Sequence, residues 1–116
     1  MRLLVIAAAA LIICAAPAQA QDTSESDLRC ATWAAIVLGV NEEDPAIQQA
    51  FSMALSWFLG RYEAATGIRF EDAMTPEYIV AIQPKLQAVE VECRERMSDY
   101  GDRMTRWGSQ LQQSGV

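Results

Sequence analysis

The chain has 116 residues, three cysteines, no histidine, and nine Lys+Arg against fifteen Asp+Glu, for a formal net charge of −6. An acidic balance of this kind lacks the basic footprint that phosphate backbones and anionic lipids attract, so neither nucleic acid nor a membrane surface is an expected partner. The absence of histidine excludes Ser-His-Asp and Cys-His nucleophile arrangements, and with them the commonest general base near neutral pH.

Arg2 is the one charged residue among the first twenty, an apolar run follows from Leu3 to Ala16, and Pro17-Ala18-Gln19-Ala20 closes the segment. A basic start, a short apolar core and an Ala-x-Ala end predict a secretory signal peptide over residues 1–20, cleaved after Ala20, and a periplasmic or secreted product. The run falls short of the about 20 apolar residues that a bilayer-spanning helix needs, so no stable membrane anchor is expected after cleavage. Cys14 follows Ile13, a poor neighbour for lipid attachment, and leaves with the signal. Removing 20 of 116 residues leaves 96, with eight Lys+Arg against fifteen Asp+Glu and a net charge of −7. A chain of that size builds one small domain with a marginal core.

Gln21–Ser26 is polar and aperiodic, and reads as a flexible leader; residues 27–116 read as a single helical domain. Ser26 or Asp27 is placed to cap a first helix running to about Leu38, with Leu28, Ala31, Ala35 and Leu38 at helical spacing and Gly39 and Asn41 as stop residues. Asp44-Pro45 is a cap followed by a proline at the first helical position, and it opens the clearest amphipathic helix, through Phe51, Leu55, Phe58 and Tyr62 to the Gly67 C-cap. Gly60 lies inside that helix, and close helix packing near a disulfide would account for it. A linker over residues 68–74 leads to a second cap-and-proline signal, Thr75-Pro76, and a third helix. Pro84 either kinks this helix or starts a new one. Beyond it, Val89, Cys93, Met97, Tyr100, Met104, Trp107 and Leu111 form a long apolar stripe, with Met97 and Met104 expected in the core and Asp99–Arg103 and Asp102–Arg106 as surface ion pairs. No strand signal competes. The fold class expected is all-α, a small bundle of three to four helices stapled by one disulfide.

Two cysteines survive cleavage, Cys30 and Cys93. In an oxidising compartment an even pair reads as a disulfide tying the first helix to the last. Two cysteines without histidine do not complete the usual zinc set, so no metal site is assigned. No cofactor-binding motif is present, and no catalytic residue is assigned: Glu42-Glu43-Asp44 and Glu71-Asp72 are the nearest carboxylate candidates, and both read better as solvated surface. The chain is therefore not expected to be an enzyme. Trp33, Trp57, Phe58 and Arg61 make the candidate partner-binding surface, with core packing as the competing reading for each aromatic.

Cys30-Ala31-Thr32-Trp33, the helix Leu55-Ser56-Trp57-Phe58-Leu59-Gly60-Arg61-Tyr62 and the later Cys93 together resemble the acid-stress chaperones of the HdeA/HdeB type, over Cys30 to Cys93. That resemblance implies a periplasmic homodimer at neutral pH that opens in acid and holds unfolded client proteins. The chain departs from the pattern in its longer cysteine separation and in having one lysine, Lys85, where those proteins carry a basic tail. The Trp-Phe-Leu-Gly-Arg-Tyr stretch is also similar to the Tai type of periplasmic immunity protein, which implies tight binding of one partner protein at neutral pH. The expected function is thus that of an exported small helical binding protein, an acid-activated holdase in the first reading, an immunity or inhibitor protein or a structural exported protein in the alternative.

Overall fold

Helical periodicity, cap residues and prolines divide the chain into five helices in the computed structural model, which describes residues 18–115. They are α1 (Ala18–Val40), α2 (Pro45–Thr66), the single turn α3 (Phe70–Ala73), α4 (Pro76–Ile82) and α5 (Leu86–Gln113), with a 3-10 turn, Gln83–Lys85, between the last two. No strand occurs among the described residues. The all-α bundle expected from the sequence is the fold observed. Of the signal peptide expected over residues 1–20, residues 1–17 lie outside the described residues.

The local signals explain where the helices begin. Asp44 Oδ1 accepts hydrogen bonds from the backbone N–H groups of Ala46 and Ile47, at 3.1 and 3.2 Å, with Pro45 in the first turn. Thr75 Oγ1 accepts from the Tyr78 N–H at 3.2 Å, again followed by proline. Each cap satisfies donors that a helix start leaves without intrahelical partners. At the other end of α2, Gly67 takes φ 68° and its N–H donates to the Glu63 carbonyl at 2.8 Å. The left-handed conformation there is one that a side chain would strain. The α1–α2 turn is closed by side chains: Asn41 Nδ2 donates to the Val37 carbonyl, and Gln48 Nε2 to those of Leu38 and Asn41. Pro84 resolves as a break: α4 stops at Ile82, and the 3-10 turn re-aims the chain before α5 begins. Without an N–H of its own, Pro84 cannot carry the α-helical ladder across that junction.

Two expectations about α1 and α2 are corrected. The leader Gln21–Ser26 is helical and belongs to α1, with Ser24 and Ser26 buried. Polar partners on α5 hold this turn down where apolar periodicity gave no signal. Asp27 is consequently interior to α1 and caps nothing. Second, Gly60 is exposed and a Cβ built on it would meet nothing within 4 Å, so close packing is not the reason for a glycine there. Gly60→Ala is expected to stabilise the domain by about 0.5–1 kcal/mol, because it restores helix propensity without a clash. Urea midpoints of the two proteins would check this.

The core lies between α1 and α2 and is closed by α4 and the first half of α5. Cys30, Ala31, Trp33, Ala34, Phe51, Ala54, Phe58, Ile82, Val89 and Cys93 form one buried cluster. Trp33 and Phe51 meet edge to face at 5.0 Å between ring centres, an arrangement aromatic quadrupoles favour. Along α5 the stripe divides. Val89 and Cys93 are buried and Met97 packs against the core, but Met104 and Trp107 are 44% and 55% exposed. Met104 therefore lies outside the core, contrary to expectation, because the last turns of α5 extend beyond the helices that cover its first half.

Candidate functional site

The disulfide is the anchor of the site. Cys30 on α1 and Cys93 on α5 are bonded, 5.3 Å apart at Cα and fully buried. One turn along each helix, polar side chains converge. Asp27, one turn before Cys30, has a side chain only 2% exposed, and its Oδ1 accepts from Arg61 Nε at 3.2 Å and from Arg96 Nη2 in a closer ion pair. One buried carboxylate thus joins α1, α2 and α5. Arg96 also donates to Ser26 Oγ at 2.9 Å. Ser26 in turn donates to Glu92, and Arg29 donates to the same carboxylate from Nη2 at 3.2 Å and Nε at 3.4 Å.

Aromatic rings face the arginines. The guanidinium of Arg96 lies 4.9 Å from the centre of Phe58 and 5.7 Å from that of Trp57, and Arg61 lies 5.2 Å from Trp57. Trp57 also stacks on Tyr100 at 4.6 Å, so its ring contacts both an aromatic ring and guanidinium groups. Such cation–π contacts strengthen as the cation is desolvated. Arg94 sits 5.6 Å from the centre of Trp33.

The four residues expected to form a partner surface therefore separate. Trp33 (3% exposed) and Phe58 (0%) are core and are not available to a partner. The 3.6-residue repeat carries both of them onto the buried face between α1 and α2. Trp57 is half-buried, and Arg61 is partly exposed but committed to Asp27. The structure brings Trp57, Phe58 and Arg61 together; Trp33 packs elsewhere, against Phe51. Glu92 and Arg96 carry no expectation from the sequence, and Asp27 was expected only as a helix cap. Asp27 does share the three-and-four spacing of Cys30, Ala31 and Ala34, which was the available signal that its face is buried.

Burial works to raise the Glu92 carboxyl, but hydrogen bonds from Ser26 and Arg29 and the charges of Arg29 and Arg96 outweigh it and hold the group below its ordinary value. A second polar cluster lies between α1, α2 and α4, where burial pushes the Tyr78 phenol up. The remaining carboxylate candidates are separate from both: Glu42 and Glu43 are exposed in the α1–α2 turn, Asp44 is a cap, and Glu71 pairs with Arg69 at the surface. The expected surface pairs Asp99–Arg103 and Asp102–Arg106 are not formed; the i,i+4 pair on α5 is Glu90–Arg94 at 2.7 Å. Among the described residues no group of three or more Cys, Asp or Glu is arranged to hold a metal ion, and no helix is long and apolar enough to cross a membrane.

The arrangement is a clasp in its geometry: the Asp27 and Glu92 carboxylates face guanidinium groups, and two of those guanidinium groups, on Arg61 and Arg96, lie against aromatic rings. The chain matches no family model, no curated protein and no solved structure.

Proposed function

We propose that this chain is an exported holdase-type binding protein whose α1–α5 clasp loosens in acid and opens apolar surface to unfolded proteins. The observation that carries the reading is the chemistry of the clasp: the side chains joining α1 to α5 beside the disulfide are held by Asp27 and Glu92, two carboxylates, against Arg29, Arg61 and Arg96. Protonating Glu92 leaves Arg29 without its counter-charge and removes a negative charge that faces Arg96. The same acid takes the mature chain from −7 to about +8 as its fifteen carboxylates titrate, and self-repulsion then opposes the compact state. The Cys30–Cys93 bond is covalent and stays. Opening is thereby confined to the helices around it, and Trp57 and Phe58 are the side chains that lose their cover.

The sign of the pH dependence is set by Glu92. Its carboxyl is held below the ordinary value of 4.5 in the folded chain. A group depressed in this way stabilises the fold above the unfolded value and loses that contribution as pH falls through the folded one. The parent protein is therefore expected to lose stability on acidification below about pH 4.5 more steeply than Glu92→Gln, which has no proton to gain. Urea denaturation at pH 7, 4.5 and 3 would check it; parallel losses in the two proteins would remove Glu92 from the trigger.

The functional test measures aggregation of an unrelated client with the oxidised mature chain at neutral pH and at about pH 2–3. Protection confined to acid supports the reading, and absence of protection at both pH values overturns it. The immunity or inhibitor reading is favoured by a different observation, the exposure of Met104 and Trp107 on α5 in the folded state. It requires a single stoichiometric partner bound at neutral pH and lost in Trp107→Ala, whereas pairing of the chain with itself in sedimentation would assign that stripe to a homodimer.

A further inference from the structure

A cavity of about 400 Å³ opens between α1, α2 and α4, and none of Asp27, Arg61 and Arg96 lines it. Its size lies within the range of small-molecule sites, which are apolar with a few convergent polar groups. The floor is buried Leu28 and Ile82, extended by the rings of Tyr62 and Tyr78. Lys85, the one lysine of the chain, stands at the mouth and makes no ion pair among the described residues. Neither tyrosine hydroxyl is hydrogen-bonded among the described residues and neither is sealed from solvent, so both O–H groups remain able to donate at the cavity.

We infer that this cavity binds a small amphipathic carboxylate, a single-chain or aryl-alkyl acid, with its head group at Lys85 and the two phenol hydroxyls and its apolar body over Leu28 and Ile82. The donor set selects the charge. An ammonium and two O–H groups line the site, and they match a carboxylate, which only accepts. The Tyr78 phenol is protonated at neutral pH and hence a donor, and burial moves its titration further up. Two other charged groups face the cavity. Arg29 is turned to Glu92, which cancels its charge, and Glu25 is exposed, so water weakens its repulsion of the head group and leaves the apolar body to its side. A floor that is mostly apolar supplies the affinity, and Lys85 with the hydroxyls supplies the selection against neutral and cationic analogues.

The test titrates the oxidised mature chain at pH 7 with decanoate, decanol and decylamine, below their micelle concentrations, by calorimetry and by amide chemical shifts. Decanoate is expected to bind at one site, with shifts clustered at Leu28, Tyr62, Tyr78 and Lys85, and about tenfold more tightly than either analogue, the loss of one charge-assisted hydrogen bond. Lys85→Gln and Tyr78→Phe are each expected to weaken decanoate by roughly threefold to tenfold and to leave decanol unchanged. The proposal is overturned if decanoate does not bind, if the three ligands bind alike, if the shifts fall on the exposed end of α5 instead, or if both variants bind decanoate as the parent does.

Discussion

Reduction of the Cys30–Cys93 bond is expected to remove about 4 kcal/mol of stability, the chain-entropy value for a loop spanning 63 positions. That is a large share of the about 5–15 kcal/mol that a small domain has in total. The bond joins α1 to α5, and further ties between those helices are the clasp side chains Ser26, Asp27, Arg29, Glu92 and Arg96, the Arg94 guanidinium over Trp33, and the packing of Met97 and Val89 on the core. Reduced chain is thus expected to keep the α1–α2 hairpin longest, since its turn is closed by Asn41, Asp44 and Gln48, and to lose α5 first. Urea curves of oxidised protein, reduced protein and the Cys30→Ala/Cys93→Ala double variant measure this. Helical circular dichroism separates loss of α5 from loss of the whole fold. A drop below about 1 kcal/mol, the scale of a single net hydrogen bond, would mean that the clasp and packing hold α5 without the bond.

The parts of this fold that were legible in the sequence are those fixed by near neighbours. Asp44-Pro45 and Thr75-Pro76 announce helix starts because a cap and its donors lie within three residues of each other. Gly67 announces an end because the left-handed turn requires it. The cysteine pair was legible for a different reason: with two cysteines left there is one way to join them. The extent of the core was not legible. Periodicity on α5 continues from Val89 to Leu111 and identifies a face, but it carries no information on how far the covering helices reach, and Met104 and Trp107 are left outside. The start of α1 was missed for the converse reason. Ser24, Ser26 and Asp27 are polar, and what buries them lies on α2 and α5, far along the chain. Trp33 and Phe58 show the same limit: an aromatic slightly off a stripe reads as interface or core equally well until the opposite helix is in place.

Asp27→Ala is expected to cost about 3 kcal/mol, at the lower end of the penalty for removing one partner of a buried ion pair. The reason is arithmetic in charge. Arg61 and Arg96 share the one carboxylate, whose side chain is 2% exposed, while their own side chains are 41% and 22% exposed. Removal strands two cations, of which Arg61 retains access to water and Arg96 retains less. Arg96 keeps Ser26 as an acceptor and the faces of Phe58 and Trp57, which soften the loss without replacing the charge. Asp27→Asn separates the contributions: the amide oxygen still accepts a hydrogen bond but carries no charge, and about half the cost is expected. If charge dominates, the triple change Asp27→Leu, Arg61→Met and Arg96→Met should recover most of the stability that Asp27→Leu alone removes, since apolar groups of similar volume can replace a buried ionic cluster at little cost.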